Sequence, residues 1–293
     1  MKDELKQRPK TKNQRPETIA LLTDFGTKDY FAGAMKGAIL SVNPNAQIVD
    51  ITHEIEPQNI KSASFTLRAC YKDFPAKTIF VAVVDPGVGS ERRAILVETG
   101  DYFFIAPDNG LLSFIFNESR SPHAGKGGNI EESALTGVRA SACKVFELTN
   151  KKFFAGSISA TFHGRDVFAP VAAHLSKGVN PNEFGARIKD FVRFEEIKPQ
   201  KIGENEIEAE IIETDRFGNL ITNLKREDLP GTFALEINKT RIEKLRKFFA
   251  EAEKSEIFMI TGSAGFLEIA AFQDSAKNIL QAEIGQKITV KMR

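Results

Sequence analysis

From Thr18 onward the chain alternates short apolar runs with stretches of helical spacing. Thr18–Thr23 is apolar without a polar face, the signature of a strand buried on both sides. Asp24, Phe25 and Gly26 break the run, and Phe31, Met35 and Ile39 then recur along one helix face. Residues 47–52 read as a second strand, Ile60, Ala63 and Leu67 as a second helix, and residues 78–84 as a third strand. Strands alternating with helices predict βαβ units and a mostly parallel sheet. Two further runs, 94–98 and 103–106, lie close enough to form a hairpin. Residues 117–143 are polar and rich in Gly and Ser, which predicts a surface loop. Val167, Val171 and Leu175 mark a last helix over about 165–176, and residues 178–199 read as a connection.

After Lys201 the texture changes. Short strand-like runs at 207–212, 233–237, 257–260, 266–271 and 288–292, separated by Gly turns, predict a small β-barrel or sandwich. One charged amphipathic helix is expected to interrupt them over 240–254. The fold class is therefore α/β: an amino-terminal α/β domain with a mostly parallel sheet over 17–185, and a carboxyl-terminal β-barrel or sandwich domain over 200–293. Residues 1–16 carry Lys2, Lys6, Arg8, Lys10, Lys12 and Arg15 without periodicity and read as a flexible basic tail.

Composition narrows the function classes. The 293 residues suffice for two domains, and 42% hydrophobic residues supply their cores. A formal net charge of +1 gives no global basic field, so nucleic acid is not an expected partner. No apolar run approaches the roughly 20 residues that span a bilayer, and no secretory signal is expected. Cys70 and Cys143 cannot build a disulfide framework or a four-thiolate zinc site, and both are expected as small buried hydrophobes. The expectation is a cytoplasmic protein.

The polar motifs fall where a parallel sheet puts its ligands, beyond the carboxyl ends of the strands. Asp24 follows the first strand, Asp85-Pro86-Gly87-Val88-Gly89 the third, and Asp108-Asn109-Gly110 a later one. His163-Gly164-Arg165-Asp166 immediately precedes a helix. Each has a plainer reading when taken alone. Asp24 and Asp108 serve equally as turn residues, Asp166 as a cap or a partner of Arg165, and Arg92 and Arg93 as surface charges. The Gly-Val-Gly segment lacks the spacing of a dinucleotide or phosphate loop. His53, His123 and His174 lack metal-ligand spacing, so no metal and no cofactor are expected.

Taken in order, the motifs carry a resemblance. Thr23-Asp24-Phe25-Gly26, Met35-Lys36-Gly37, Val84 to Gly89, Ala106-Pro107-Asp108-Asn109-Gly110, Thr161 to Asp166 and Asp215-Arg216-Phe217-Gly218-Asn219 together resemble the S-adenosyl-L-methionine hydrolases. These enzymes are also called hydroxide adenosyltransferases and are related to the fluorinating and chlorinating enzymes. The resemblance runs from about Thr18 to the carboxyl terminus, excepting 117–143. It implies homotrimers, each site completed by the second domain of a neighbouring subunit. It also implies a catalytic triad of Asp85, Arg92 and His163, with Asp24 on the ribose hydroxyls. Asp215, Phe217 and Asn219 would contact substrate from the second domain, with Ser263 near the methionine carboxylate, and Asp108 and Asn109 are added as substrate-binding candidates.

The implied reaction is hydrolysis of S-adenosyl-L-methionine to adenosine and L-methionine. Water or hydroxide attacks the ribose 5′ carbon in line with the sulfonium, which leaves without acid or metal assistance. His163 and Asp85 are both open as the proton acceptor, with Arg92 orienting. The halogenating relatives place Tyr-Ser where this chain has His163-Gly164, and the fluorinating ones carry a Trp that this chain lacks. The alternatives are a halide-dependent adenosyltransferase, a non-catalytic adenosine or S-adenosyl-L-methionine sensor, and a metal phosphohydrolase built on Asp24, Asp85 and Asp108.

Overall fold

In a computed structural model of the chain, residues 18–118 and 143–292 are described. The basic tail and nearly all of the loop read over 117–143 lie outside them. The chain divides into two units, residues 1–195 and 196–293.

The first unit contains β1 (Thr18–Thr23), α1 (Phe31–Val42), β2 (Gln47–Thr52), α2 (Ile60–Cys70), β3 (Ile79–Val83), β4 (Ala94–Glu98) and β5 (Phe103–Pro107). After these come α3 (Ser113–Glu118), β6 (Lys144–Glu147), α4 (Ala169–Ser176) and β7 (Arg187–Ile188). Its seven strands form one sheet in the order β2-β1-β3-β5-β4-β6-β7. The pairs from β2 to β5 are parallel, as βαβ units require, and those from β5 to β7 are antiparallel. The sheet is therefore mixed, with its parallel half at the amino-terminal end of the chain.

Alternation along the strands divides the core into two layers. Ile19, Leu21, Ile79, Val81 and Val83 pack with α1 and α4 on one face. Ala20, Leu22, Phe80, Ala82 and Phe104 pack with α2 and α3 on the other. Strands covered on both faces read as unbroken apolar runs, which is why β1 and β3 were recognisable. Cys70 and Cys143 are only partly buried, and burial pushes the Cys70 thiol up to about 11.

The first unit runs past the expected boundary at residue 185. β7 joins the sheet edge, and the segment behind it is pinned down: Asp108 Oδ1 accepts from Val192 N at 2.8 Å and Ser113 Oγ from Phe194 N at 2.8 Å.

The second unit consists of β8 (Gln200–Lys201), β9 (Glu206–Thr214), β10 (Leu220–Lys225), β11 (Phe233–Ile237), β12 (Thr240–Ile242), β13 (Leu245–Arg246), β14 (Ile257–Thr261), β15 (Phe266–Ala271), α5 (Ala276–Leu280) and β16 (Lys287–Met292). Its strands make one curled, largely antiparallel sheet in the order β12-β11-β16-β9-β10-β15-β14-β13, with β8 on β9. The helix expected over 240–254 is not formed. Asn238 and Lys239, both at positive φ (46° and 65°), make a tight hairpin turn that folds β12 back onto β11. Of the large apolar side chains in that segment only Ile242 is buried, with the small Ala252, while Leu245, Phe248 and Phe249 are exposed. A helix there had no core to cover.

Candidate active site

β1 connects towards β2 on one side of the sheet, whereas β3 leads towards β4 and β5 on the other. A crevice opens between the carboxyl ends of strands whose connections diverge in this way. A cleft of about 430 Å³ lies there. Asp24 and Phe25 after β1, Gln58 before α2, Asp85 after β3, and Phe162 and His163 before α4 line it.

Three of the sequence-derived residues meet in one chain of bonds. Arg92 Nε lies 2.9 and 3.0 Å from the two Asp85 oxygens, and its Nη2 also bonds Asp85 Oδ2. The same Nη2 lies 2.9 Å from His163 Nδ1. Arg92 is not itself part of the cleft wall; it grips two residues that are. The guanidinium can only donate, so His163 Nδ1 accepts and the ring proton sits on Nε2. Burial, and then the Arg92 charge, push the His163 pKa below its ordinary 6.5, against the opposing pull of Asp85 and Asp166.

The local structure explains how the three converge. Residues 85–92 leave the sheet and return through tight turns, with Val88 N bonded to Asp85 O and Ser90 N to Gly87 O. Gly89 sits at φ +79°, and a side chain there would run into the Ala160 carbonyl. Its glycine therefore admits the loop that carries His163 rather than a ligand. His163 caps a single π-helical turn, Gly164–Phe168, that leads into α4. Such turns are local departures that re-aim a side chain. Asp166 is an ion-pair partner of Arg165 and also takes the amide of Ser159, which fixes the same loop.

Asp24 Oδ2 accepts from Gln58 N at 2.8 Å, and Gln58 is held at φ +68°. Behind Asp24, a chain absent from the sequence reading runs from Lys36 to Asp50 (2.6 Å), Asp50 to His53 Nε2 (3.1 Å) and His53 Nδ1 to Thr23 Oγ1 (2.8 Å). Gly26 N bonds the His53 carbonyl at 2.6 Å. His53 is thus a buried anchor for the turn that presents Asp24. Nothing in its spacing marked it. Phe25, Phe31 and Phe162 give the cleft an aromatic wall, with ring centroids 5.0 Å apart for Phe31 and Phe162. Two of those rings stood inside motifs read only for their charged members.

Asp108 and Asn109 do not line the cleft. Asp108 bonds Arg93 through Oδ2, at 3.0 Å from Nε and 2.8 Å from Nη2, and Asn109 Nδ2 donates to Val84 O at 2.8 Å. Arg93, read as a surface charge, is the ion-pair partner of a buried aspartate.

The remaining sequence-derived residues belong to the second unit. Asp215 Oδ1 accepts from Phe217 N at 2.9 Å and Asn219 N at 2.8 Å, and its Oδ2 from Asn219 Nδ2 at 2.8 Å. Phe217 projects from this self-closed loop, 77% exposed. Ser263 is exposed in the turn between β14 and β15. Glu268 lies across from Ile260 in that hairpin, and burial and then the Asp215 charge push its carboxyl up. Among the described residues, no three His, Cys, Asp or Glu side chains converge as a metal site would require.

Two family models match the chain: the SAM hydroxide adenosyltransferase N-terminal domain over residues 19–185 and its C-terminal domain over 209–289. An (R)-S-adenosyl-L-methionine hydrolase from Methanocaldococcus jannaschii is 33% identical, covering 94% of this chain and 95% of the relative. A fluorinase from an Actinoplanes species is 28% identical over 72% of each chain. The crystal structure of an uncharacterised conserved protein from Thermotoga maritima superposes with a TM-score of 0.80 at 34% identity, covering 94% of this chain and all of that one.

Proposed function

Since the chain belongs to the SAM hydroxide adenosyltransferase family, we propose that it hydrolyses S-adenosyl-L-methionine to adenosine and L-methionine. The observation that carries this reading is the Asp85–Arg92–His163 chain of bonds at the strand-end cleft, with Asp24 on the opposite strand end.

Water attacks the ribose 5′ carbon. The C5′–S bond breaks with its electron pair going to sulfur, and the cationic sulfonium becomes the neutral thioether of methionine. No metal is needed, because the leaving group is already activated. The work left to the protein is to orient a poor nucleophile and receive its proton. Burial and Arg92 favour neutral His163, and with Nδ1 taken by Arg92 its ring proton is on Nε2, which serves as the donor that orients the water oxygen. Asp85 is then the proton acceptor of the set. Asp24 binds the ribose hydroxyls, and Asp215, Phe217, Asn219 and Ser263 supply substrate contacts from a second domain within a homotrimer. The same reading takes the curled sheet of residues 196–293 as the β-barrel implied by the resemblance. The relatives' name specifies the R configuration at sulfur, and we take that epimer as the substrate.

Gly164 favours water over halide. A β-carbon there would lie 3.2 Å from Met35 Sδ and from the Phe162 ring, and 3.3 Å from the Phe25 ring. The serine that halogenating relatives carry at this step would require these side chains to give by a few tenths of an ångström. The test is incubation with each sulfonium epimer in heavy-oxygen water, with chelator, and with or without fluoride or chloride. Adenosine bearing one heavy oxygen at C5′ is expected. Unlabelled adenosine or a halogenated nucleoside would refute the reading.

A further inference from the structure

We propose that Asp108 and Asn109 act on the reaction without touching substrate, by holding the two backbone points from which Asp85 and Arg92 project. The proposal rests on the hydrolase reading above and assigns those two residues a positioning role.

The argument begins with where β5 lies. It separates β3, which ends just before Asp85, from β4, which begins just after Arg92. The parallel pairing of β3 with β5 ends at Val81 and Ile105. Beyond that register the Asn109 side chain continues it, donating from Nδ2 to the Val84 carbonyl at 2.8 Å. On the other flank Asp108 N donates to Arg93 O at 2.8 Å, while the Asp108 carboxylate takes Arg93 Nε and Nη2. Val84 precedes Asp85 and Arg93 follows Arg92. One dipeptide thus clamps the outer neighbours of both members of the ion pair.

The remaining atoms are also committed. Asp108 Oδ1 accepts from Val192 N, and Asn109 Oδ1 accepts from Leu111 N at 3.2 Å. The Asp108 side chain is 2% exposed. A residue with both oxygens and its amide engaged, and no face on the cleft, has nothing left to offer a ligand. Arg93 is itself tied to Asp190 through Nη1 (3.2 Å to Oδ2) and Nη2 (to the backbone carbonyl). Gly110, at φ +94°, leaves the space that the Phe194 ring fills. The strap over 190–194 thereby closes the clamp from outside.

The bidentate Asp85–Arg92 contact and the Arg92–His163 bond depend on where residues 85 and 92 leave the sheet. Misplacement on the scale of an ångström costs about a hundredfold in rate when a nucleophile must be aligned. The test uses the full chain and two variants, Asp108→Asn and Asn109→Ala, each checked for native melting. The expected result is a fall in kcat of about 10- to 100-fold with KM changed less than about threefold. A raised KM with unchanged kcat would make these residues substrate contacts and overturn the proposal, as would kinetics unchanged in both variants.

Substrate-free titration of His163 by nuclear magnetic resonance gives an independent readout. Arg92, Asp85 and Asp166 are the charges that act on it. Its pKa is expected below 6.5 in the parent chain and closer to 6.5 in either variant, as Arg92 drifts away. An unmoved titration overturns the clamp. A moved titration in a protein that hydrolyses nothing leaves the clamp standing and rejects the hydrolase reading instead. If Asp108→Asn melts, Asn109→Ala, which leaves no buried charge unpaired, decides alone.

Discussion

Asp85 and Asp215 are both aspartates in turns after strands, and they are held in opposite ways. Asp215 is satisfied within its own loop by Phe217 N, Asn219 N and Asn219 Nδ2. That loop needs nothing distant, and it spends its one large apolar side chain, Phe217, on exposure. Asp85 is held by Arg92, Arg92 touches His163, and the outer neighbours of Asp85 and Arg92 are fixed by Asn109 and Asp108. The first arrangement is written in five consecutive residues. The second is assembled from four separate stretches of the chain. On the function proposed above, the self-closed loop would present a contact, and the assembled site, which would have to align a nucleophile to a fraction of an ångström, would draw on the rigidity of the sheet.

The largest effect should come from breaking the assembled side of this contrast. Asp85→Ala or His163→Ala is expected to slow turnover by about a hundredfold or more, with affinity for substrate changed far less. Rapid-quench kinetics paired with calorimetric binding measures both, and an equal loss in the two would show that the triad binds rather than acts. On the self-closed side, Asp215→Ala removes the acceptor that shapes the loop. Affinity should weaken by about 10- to 100-fold with turnover at saturation near that of the parent, because charge-assisted bonds of this kind contribute about 1.5–3 kcal/mol. A loss confined to kcat would place Asp215 in the chemistry.

Gly164→Ser tests the packing between the two halves of the assembled site. Met35, Phe25 and Phe162 must shift, so urea denaturation should report about 1 kcal/mol of lost stability, with no halogenated product in chloride. A stabilised variant would mean that the pocket has slack. The smallest effect concerns pH. The proposed mechanism uses neutral His163, and its pKa is lowered by burial and by Arg92, so the neutral form persists below pH 6.5. The acid limb of kcat is therefore expected with its midpoint below 6.5, and its absence in His163→Asn would assign it. A midpoint above 6.5 would mean that Arg92 does not face the ring in solution.

The same contrast decides what was legible in the sequence. Strands β1 and β3 were readable because both faces are covered, leaving no polar position to confuse the pattern. Asp24, Asp85 and His163 were recognisable from their place at strand and helix ends. Asp108 and Asn109 were found for the same reason and given a substrate-contact role, since a strand-end aspartate looks alike whether it faces a ligand or a buried arginine. The Lys36–Asp50–His53–Thr23 chain had no local signature, because its members come from β1, α1, β2 and the loop beyond β2. The segment 240–254 misled in the other direction. Its apolar spacing matches a helix, yet the Asn238-Lys239 turn commits the following residues to an edge strand.

The excursion over residues 85–92 has a consequence for how this protein can change over time. It leaves the sheet at a carbonyl held by Asn109, returns beside a guanidinium held by Asp108, and closes on itself through Asp85 and Arg92. A path pegged at both ends and cross-linked in between has no freedom of length. Exposed positions such as Pro86 and Glu91 can change identity without moving the pegs. One inserted or deleted residue must break the Asp85–Arg92 contact or release a peg. Variation here should therefore proceed by spelling and never by counting: libraries that substitute the exposed Pro86 and Glu91 should yield active enzymes, and libraries that lengthen the excursion by one residue should yield none.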